Sequence, residues 1–355
     1  EGIDREEMKE FKARKRLLER EGKVPLPRKI IYEPTVLCNL NCTMCERHVS
    51  AASLKKKELE FEEIKKFINN LPPSIESVYI SGGEPSLRPD LVDIIRCFRR
   101  RGIIVNFQSN GTLVDRVLAA SGIKGVFPSF SLDGPRDVHN KIRGKSFVFD
   151  RNMKILNALR EQLHKGIIIT SVICEDNLHV LKDLIGLLKE EDLVPDLIIF
   201  ELARWITKEM VEDTRKLLRV DEEDLPPHLK DRENPSFSYE DFSRWLTELH
   251  EALEQDEFNY LFLPKNLLEK SKEFYYRTYR QSHELFCGHL EVLRLGSERD
   301  ITPCFNIRNS LGNVTQDSIE TIWNSRGFRD YRVNLIENNL APICESCFRC
   351  LDIHT

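Results

Sequence analysis

Three cysteines, Cys38, Cys42 and Cys45, fall in one short loop with the spacing C-x3-C-x2-C, directly after the strand-like run Lys29-Ile30-Ile31-Tyr32-Glu33-Pro34-Thr35. Three thiolates in one loop can hold an iron–sulfur cube, but a cube has four irons, so one is left without a protein ligand. An open position on a redox-active cluster is a place for chemistry as well as stability. The same thiolates could instead form most of a zinc site, with His48 as the fourth ligand.

Other residues could join that chemistry. Ser81-Gly82-Gly83-Glu84-Pro85 follows a second strand-like run. Its glycines allow positive φ or a close backbone approach to a ligand, and a carboxylate comes next. A plain strand-to-helix turn would look the same. Near the end lie Cys287, Cys304, Cys344, Cys347 and Cys350, the last three spaced C-x2-C-x2-C. A fully ligated cube needs four thiolates, so five leave one spare; a zinc knuckle is the alternative. Cys174, Glu201 and Arg204 fall at or just past strand ends. An acid there could take a proton and an arginine could hold an anionic substrate. The plainer readings are a Glu201–Arg204 salt bridge and simple packing of Cys174.

These residues need a scaffold, and the chain supplies a regular one. Strand-like runs at Ile30–Thr35, Ser77–Ser81, Ile103–Phe107, Val126–Leu132, Gly166–Ile173 and Asp196–Glu201 alternate with helical patterns. The helices are Phe61 to Leu71, Leu91–Arg101, Leu113–Ser121, Phe147–Leu163 and Asn177–Glu190. Repeated βα units predict a parallel sheet, either open and doubly wound or curved into a partial barrel. In both, ligands bind beyond the C-terminal strand ends, where the cysteine loop lies. Residues 206–284 break the rhythm; they read as a helical insertion rich in aromatics, able to cover the open end or merely to pack. From Leu285 a hairpin is expected, with strands Leu290–Leu295 and Ile301–Phe305 around a turn at Gly296 to Asp300. Residues 1–28 read as a charged helix, Arg5 to Glu21, and a Pro-containing linker.

Composition bounds the function. The chain has 355 residues, 41% hydrophobic and 31% charged, with a net charge of -5, which gives no reason to expect nucleic acid. No apolar run approaches the roughly 20 residues of a membrane helix, and Glu1 opens no secretory signal. Eight of the 10 cysteines are grouped with short gaps, which favours metal ligation in a reducing compartment over a disulfide framework, and a cytoplasmic location. Cys97 reads as a small buried hydrophobe.

Taken together and in order, Cys38-Asn39-Leu40-Asn41-Cys42-Thr43-Met44-Cys45, Ser81-Gly82-Gly83-Glu84-Pro85, Ser109-Asn110-Gly111-Thr112, Ser131-Leu132-Asp133-Gly134-Pro135 and the segment from His139 to Ile142-Arg143-Gly144 resemble the radical S-adenosylmethionine (SAM) superfamily. The tail, with Leu311-Gly312-Asn313-Val314 and Ile322-Trp323, is similar to the branch carrying a SPASM or twitch auxiliary-cluster domain. The resemblance spans roughly residues 29–202 and 285–350.

It implies an α/β fold: a partial, TIM-like (β/α)6 barrel over 29–205, the helical segment 206–284, and a SPASM/twitch-like domain with a β-hairpin over 285–355. It implies a [4Fe–4S] cluster on Cys38, Cys42 and Cys45 whose open iron chelates SAM, and a 5′-deoxyadenosyl radical that abstracts hydrogen from a substrate. Met44 would pack near adenine; Gly82, Gly83 and Glu84 would meet the methionine amino group. Ser109, Asn110, Ser131 and Asp133 stand where ribose or carboxylate contacts are usual, and Arg143 is a carboxylate partner. A second [4Fe–4S] cluster would use Cys287, Cys304, Cys344 and Cys347, leaving Cys350; a complete further cluster is not expected. The expected activity is a SAM-dependent oxidoreductase, with an electron donor such as flavodoxin or ferredoxin. Its substrate would be a peptide or a small alcohol, sugar or lipid-like molecule. Only about 28 residues precede the first strand, too few for a fused leader-peptide domain. The rival from another class is a zinc-stabilised binding protein without turnover.

Overall fold

The computed structural model describes residues 17–45, 58–162, 164–226, 236–279, 286–347 and 350–351. His48 and residues 1–16 lie outside them. Alternating strands and helices build the scaffold. The strands are β1 (Lys29–Tyr32), β2 (Ser77–Ile80), β3 (Ile104–Ser109), β4 (Val126–Ser131), β5 (Ile168–Ile173) and β6 (Leu197–Leu202). Helices α1 (Phe61–Asn69), α2 (Leu91–Arg100), α3 (Val114–Ser121), α4 (Arg136–Arg143), α5 (Val148–Glu161) and α6 (Leu181–Glu190) follow or separate them. β1 to β6 pair in parallel, each with its successor.

Period-2 patterning decides the two faces. Val78, Ile80, Val105, Phe107, Phe130, Ile169, Ile198 and Phe200 are fully buried on the convex face, against Ile64, Ile68, Phe98, Val117, Leu184 and Leu188 of the helices. Each such side chain contributes roughly 1.5–3 kcal/mol on burial. Local signals agree. Helix α1 opens on a capping box between Glu60 and Glu63. Helix α4 starts after Pro135 and stops at Gly144, whose φ of +74° is the left-handed cap. Its polar sequence gave no helical pattern.

The segment 206–284 differs from a purely helical insertion. After α7 (Lys208–Leu218) and α8 (Tyr239–Gln255), Tyr260–Leu263 forms β7, which adds a seventh parallel strand beside β6. Helix α8 packs on α6, with ion pairs Lys182–Glu248 and Lys189–Asp256. It thus belongs to the outer helical layer and does not cover the open end. The segment's aromatics pack on one another: Phe237, Phe242, Tyr239 and Trp245 with Tyr275 and Tyr276 of the short helix α9 (Ser271–Tyr275) and its cap. Phe242 is part of the core, Phe237, Tyr239, Trp245 and Tyr275 pack against it, and Tyr276 is exposed.

The C-terminal part is fused to the barrel. Cys287 ends β8 (Phe286–Cys287), and β9 (Val292–Leu295) pairs in parallel with β1. The hairpin's return strand is short, β10 (Asp300–Ile301), followed by β11 (Gly312–Asn313). The ten-stranded sheet runs β11-β10-β9-β1-β2-β3-β4-β5-β6-β7 and, among the described residues, leaves both ends unpaired, as a partial barrel does. Helices α10 (Ile319–Trp323) and α11 (Arg326–Glu337) follow, and β12 (Cys350–Leu351) pairs back onto β8. Among the described residues no helix is long and apolar enough to cross a membrane.

Arg332 locks the N-terminal linker to this end. The side chain is fully buried, donates to the carbonyls of Gly22 and Trp323 and to Asn324 Oδ1, and lies over the Trp323 and Phe328 rings. Arg332→Met should lower stability by about 2 kcal/mol, since hydrogen bonds from a charged donor are lost while two buried nitrogens already lack partners. Urea unfolding measures this; an unchanged midpoint would rule the role out.

Candidate active site

The cysteine loop is seated between two turns and a helix end. Gly83 N–H donates to Thr35 O at 2.9 Å and Glu84 N–H to Leu37 O at 2.7 Å. A Cβ on Gly83 would stand 2.0 Å from Leu37 O, and one on Gly82, whose φ is +123°, 2.6 Å from Thr35 O. The glycines therefore admit the chain's own cysteine loop, rather than simply a ligand. From the other side Thr43 N–H donates to Ile142 O at 3.0 Å, and Gly144 lies against Asn41 O.

The carboxylates turn inward. Glu84 is buried and accepts from Ser86 N–H (2.9 Å), Ser109 Oγ (2.9 Å) and Asn110 N–H (2.7 Å). Burial pushes its pKa up despite these bonds. Its side chain joins the turn after β2 to the turn after β3. Ser109 likewise serves Glu84 and accepts from Gly111 N–H at 3.1 Å. Asp133, fully buried, accepts from Arg143 Nε at 2.5 Å and from Val172 N–H at 3.1 Å. Burial would raise its pKa, but the Arg143 guanidinium outweighs that and holds it at about 2. His139 Nδ1 accepts from Asp133 N–H at 3.1 Å, so the ring proton belongs on Nε2 and the 3.5 Å approach to the carboxylate is no ion pair. Burial also lowers the His139 pKa, keeping the ring neutral. Glu84, Ser109 and Asp133, expected to meet a ligand, each hydrogen-bond within the protein.

Two donors do reach the sulfurs. Arg143 Nη1 lies 3.7 Å from Cys42 Sγ, and Asn110 Nδ2 lies 3.8 Å from Cys38 Sγ. Leu40 N–H also points at Cys38 Sγ, at 3.5 Å. Asn110 is steadied by Asn39 and Thr112, at 3.0 and 2.7 Å. Asn152, fully buried, donates to the carbonyls of Asn110 and Ser131. Asn39, Thr112, His139 and Asn152 had no role in the sequence reading; only Asn39, Thr112 and His139 stood inside its motifs. Burial, first, and the neighbouring cysteines raise the Cys38 thiol pKa.

The concave face beneath the loop is mixed, with Ile168, Val172 and Ile199 beside a string of polar side chains. Tyr79 OH donates to Gln108 Oε1 at 3.2 Å, Gln108 Nε2 to Ser131 Oγ at 3.0 Å, and Ser129 bonds Thr170 at 2.8 Å. Met44 is half-buried in the loop. Glu201 stands at the far wall, in register with Val172 and Leu263. Cys174, Glu201 and Arg204 lie at or just past the neighbouring C-terminal ends of β5 and β6. Cys174 is buried in a turn whose N–H donates to Asn177 Oδ1 at 2.8 Å. Arg204 is buried, donates to Asn306 Oδ1 at 2.9 Å, and lies 4.2 Å from the centre of the Phe305 ring. Arg204 thereby ties the end of β6 to the segment after β10.

The tail gathers its thiols as well. Cys304 and Cys344 each feel Cys287, and Cys344 also feels Cys347 and Cys304. Burial first, then these neighbours, pushes both thiols up. Tyr331 OH is hydrogen-bonded to Cys304. Cys350 stands opposite Cys287 in the β8–β12 register. Arg294 pairs with Glu33 in the interior, joining the strand before Cys304 to the one before Cys38.

Both thiol groups fit iron–sulfur clusters. In the first group Cys42 is buried, Cys45 half-buried and Cys38 exposed, and in the second Cys304 and Cys347 are buried; a bound metal would replace the thiol protons. Donors aimed at sulfur also suit thiolate ligands. Among the described residues no three ligand side chains converge on one point as a single ion requires.

Residues 32–188 match the radical SAM superfamily and residues 287–350 the iron-sulfur cluster-binding SPASM domain. An AdoMet-dependent heme synthase from Methanosarcina barkeri is 36% identical over 38% of this chain and 40% of its own length. An Fe-coproporphyrin III synthase from the same organism is 32% identical over 49% of this chain and 44% of its own. Each match thus spans less than half of the relative. The crystal structure of Streptococcus suis SuiB bound to precursor peptide SuiA aligns with a TM-score of 0.66 at 14% identity, over 98% of this chain and 77% of that one, which shows a shared fold. The chain belongs to the radical SAM superfamily with a C-terminal SPASM domain, and its cofactors are [4Fe–4S] clusters and S-adenosylmethionine.

Proposed function

We propose that this protein is a radical SAM oxidoreductase that abstracts hydrogen from a peptide held on the concave face of the barrel, giving a net oxidation or a new bond. The observation that carries this reading is the seating of the three-cysteine loop on the Gly82–Gly83 turn, with Arg143 and Asn110 aimed at its sulfurs. When bound, the cluster and SAM supply reductive cleavage of the sulfonium and a radical able to take a hydrogen atom.

The chain's residues do the rest. Cys38, Cys42 and Cys45 hold the radical cluster, leaving one position for SAM. The amides of Gly83 and Glu84 are engaged and the Glu84 carbonyl accepts from Leu87 N–H, so an ammonium donor would meet the carbonyls of Gly82 and Gly83. Arg143 keeps its charge, because Asp133 and Cys42 outweigh its burial and raise its pKa; it therefore remains a partner for the SAM carboxylate. Met44 packs near adenine, and Asn110 and Ser131 border the ribose. Cys287, Cys304, Cys344 and Cys347 hold the auxiliary cluster. Glu201 accepts the proton released on oxidation. Arg204 acts by holding Phe305 and Asn306, and Cys174 is packing.

Tyr79, Gln108, Ser131 and Thr170 are uncharged hydrogen-bonding groups, a better match to amides than to a polycarboxylate. A tetrapyrrole is the second reading, favoured by the heme synthase relative. Anaerobic incubation of reconstituted protein with SAM, a one-electron donor and either deuterated peptides or a deuterated tetrapyrrole tests both. Deuterium in 5′-deoxyadenosine supports the peptide; label only from a tetrapyrrole selects the second reading. No 5′-deoxyadenosine under any condition would sink the activity.

A further inference from the structure

Arg308 lies four residues beyond Cys304, and its backbone N–H donates to Asp224 O at 2.7 Å, which pins it to the chain after α7. The side chain is half-buried, its Nε buried without a hydrogen-bond partner among the described residues, and the charges around it are Cys304, Glu298 and the Arg294 guanidinium. The other two guanidinium groups at this place are already engaged. Arg294 pairs with Glu33, and Arg204 with Asn306, while both also lie over the Phe305 ring.

A half-buried guanidinium whose Nε is shielded and unpartnered beside neutral thiols is poorly matched. The mismatch disappears if the neighbouring thiols become metal-bound thiolates, because an anionic cluster in a buried pocket needs a cation nearby. We propose that Arg308 is the counter-charge of the auxiliary cluster and sets its reduction potential, with Nε as the donor available to that site. The proposal rests on the reading of Cys287, Cys304, Cys344 and Cys347 as ligands. A fixed positive charge favours the reduced cluster, which carries one more negative charge, and so raises the potential.

The test uses the full chain with Cys38, Cys42 and Cys45 all replaced by Ala, so that only the auxiliary cluster remains. Absence of iron and sulfide from that parent would overturn the ligand reading itself, independently of Arg308. In a loaded parent, the midpoint potential is followed by electron paramagnetic resonance for Arg308→Met and Arg308→Lys. The Met variant should titrate at a lower potential, while the Lys variant stays near the parent. A fully loaded Met variant with the parent's midpoint overturns the proposal. Should the Met variant fail to load, loading by the Lys variant supports the charge. Failure of both, with far-ultraviolet circular dichroism and melting unchanged, assigns Arg308 a role of shape and overturns it.

Discussion

Gly83→Ala should leave the parallel sheet folded and empty the radical site, as completely as replacing Cys38, Cys42 and Cys45 with Ala. The added Cβ would stand 2.0 Å from Leu37 O, 2.5 Å from Leu37 C and 2.6 Å from Val36 O, all backbone atoms. Side-chain rotation relieves none of these contacts, so the loop must move by more than an ångström. That motion breaks the bonds from Gly83 to Thr35 and from Glu84 to Leu37, and it displaces Cys38, the next residue. Overpacking costs about 1–3 kcal/mol, and two lost hydrogen bonds add about 1 kcal/mol each. The larger loss is geometric, since a loop shifted at Cys38 no longer presents three sulfurs to one cube. Iron bound at this site should fall to background and 5′-deoxyadenosine formation by at least about 100-fold, on the scale by which small misplacements cut rates. Gly102→Ala is the control: its φ is +76°, yet no atom lies within 4 Å of the new Cβ. It should cost about 1 kcal/mol of backbone strain and leave iron content alone. Full iron and unchanged turnover in Gly83→Ala would mean that the loop does not sit on this turn.

The sequence carried the repeating units well, because one-sided burial writes periods of 2 and 3.6 directly into residue order. β2, β3 and β4 begin and end within two residues of the expected runs. It carried β7 poorly. Tyr260-Leu261-Phe262-Leu263 has no alternation, sits amid helical sequence, and becomes a strand because the edge of β6 is there to pair with it. Helix α4 was hidden by Gly134-Pro135 and by its polar residues. The thiols were legible as sites because their spacing is local. The directions of Glu84 and Asp133 were not: a carboxylate suits a ligand or a backbone N–H equally, and only packing decides. Arg204 shows the same limit, for its partner Asn306 is 102 residues away.

Asp133 yields the prediction that best separates support of the site from the site itself. Its carboxylate, 0% exposed, holds a guanidinium that is itself buried and points at Cys42. Asp133→Ala leaves that cation unpaired, at a cost of about 3–5 kcal/mol. Arg143→Met in the same chain should recover much of the loss, because the uncompensated charge is gone. The pair also makes stability depend on acid. In the folded protein the carboxyl titrates at about 2, below its ordinary 3.8, so between those values the unfolded chain binds more protons. Its contribution is therefore complete above pH 4 and disappears as pH falls from about 4 to about 2, an effect on the order of 2 kcal/mol. Asp133→Asn should flatten that part of the acid-unfolding curve, although every other carboxyl remains. If Asp133→Asn unfolded in acid with the parent's slope, the Arg143 pair would not be what depresses this group. The cysteine site would respond separately. With Asp133 gone, Arg143 has no fixed direction, and the donor at Cys42 Sγ is lost. The radical cluster of Asp133→Asn should then show an altered resonance spectrum at full iron content, a change that reduced stability alone would not produce.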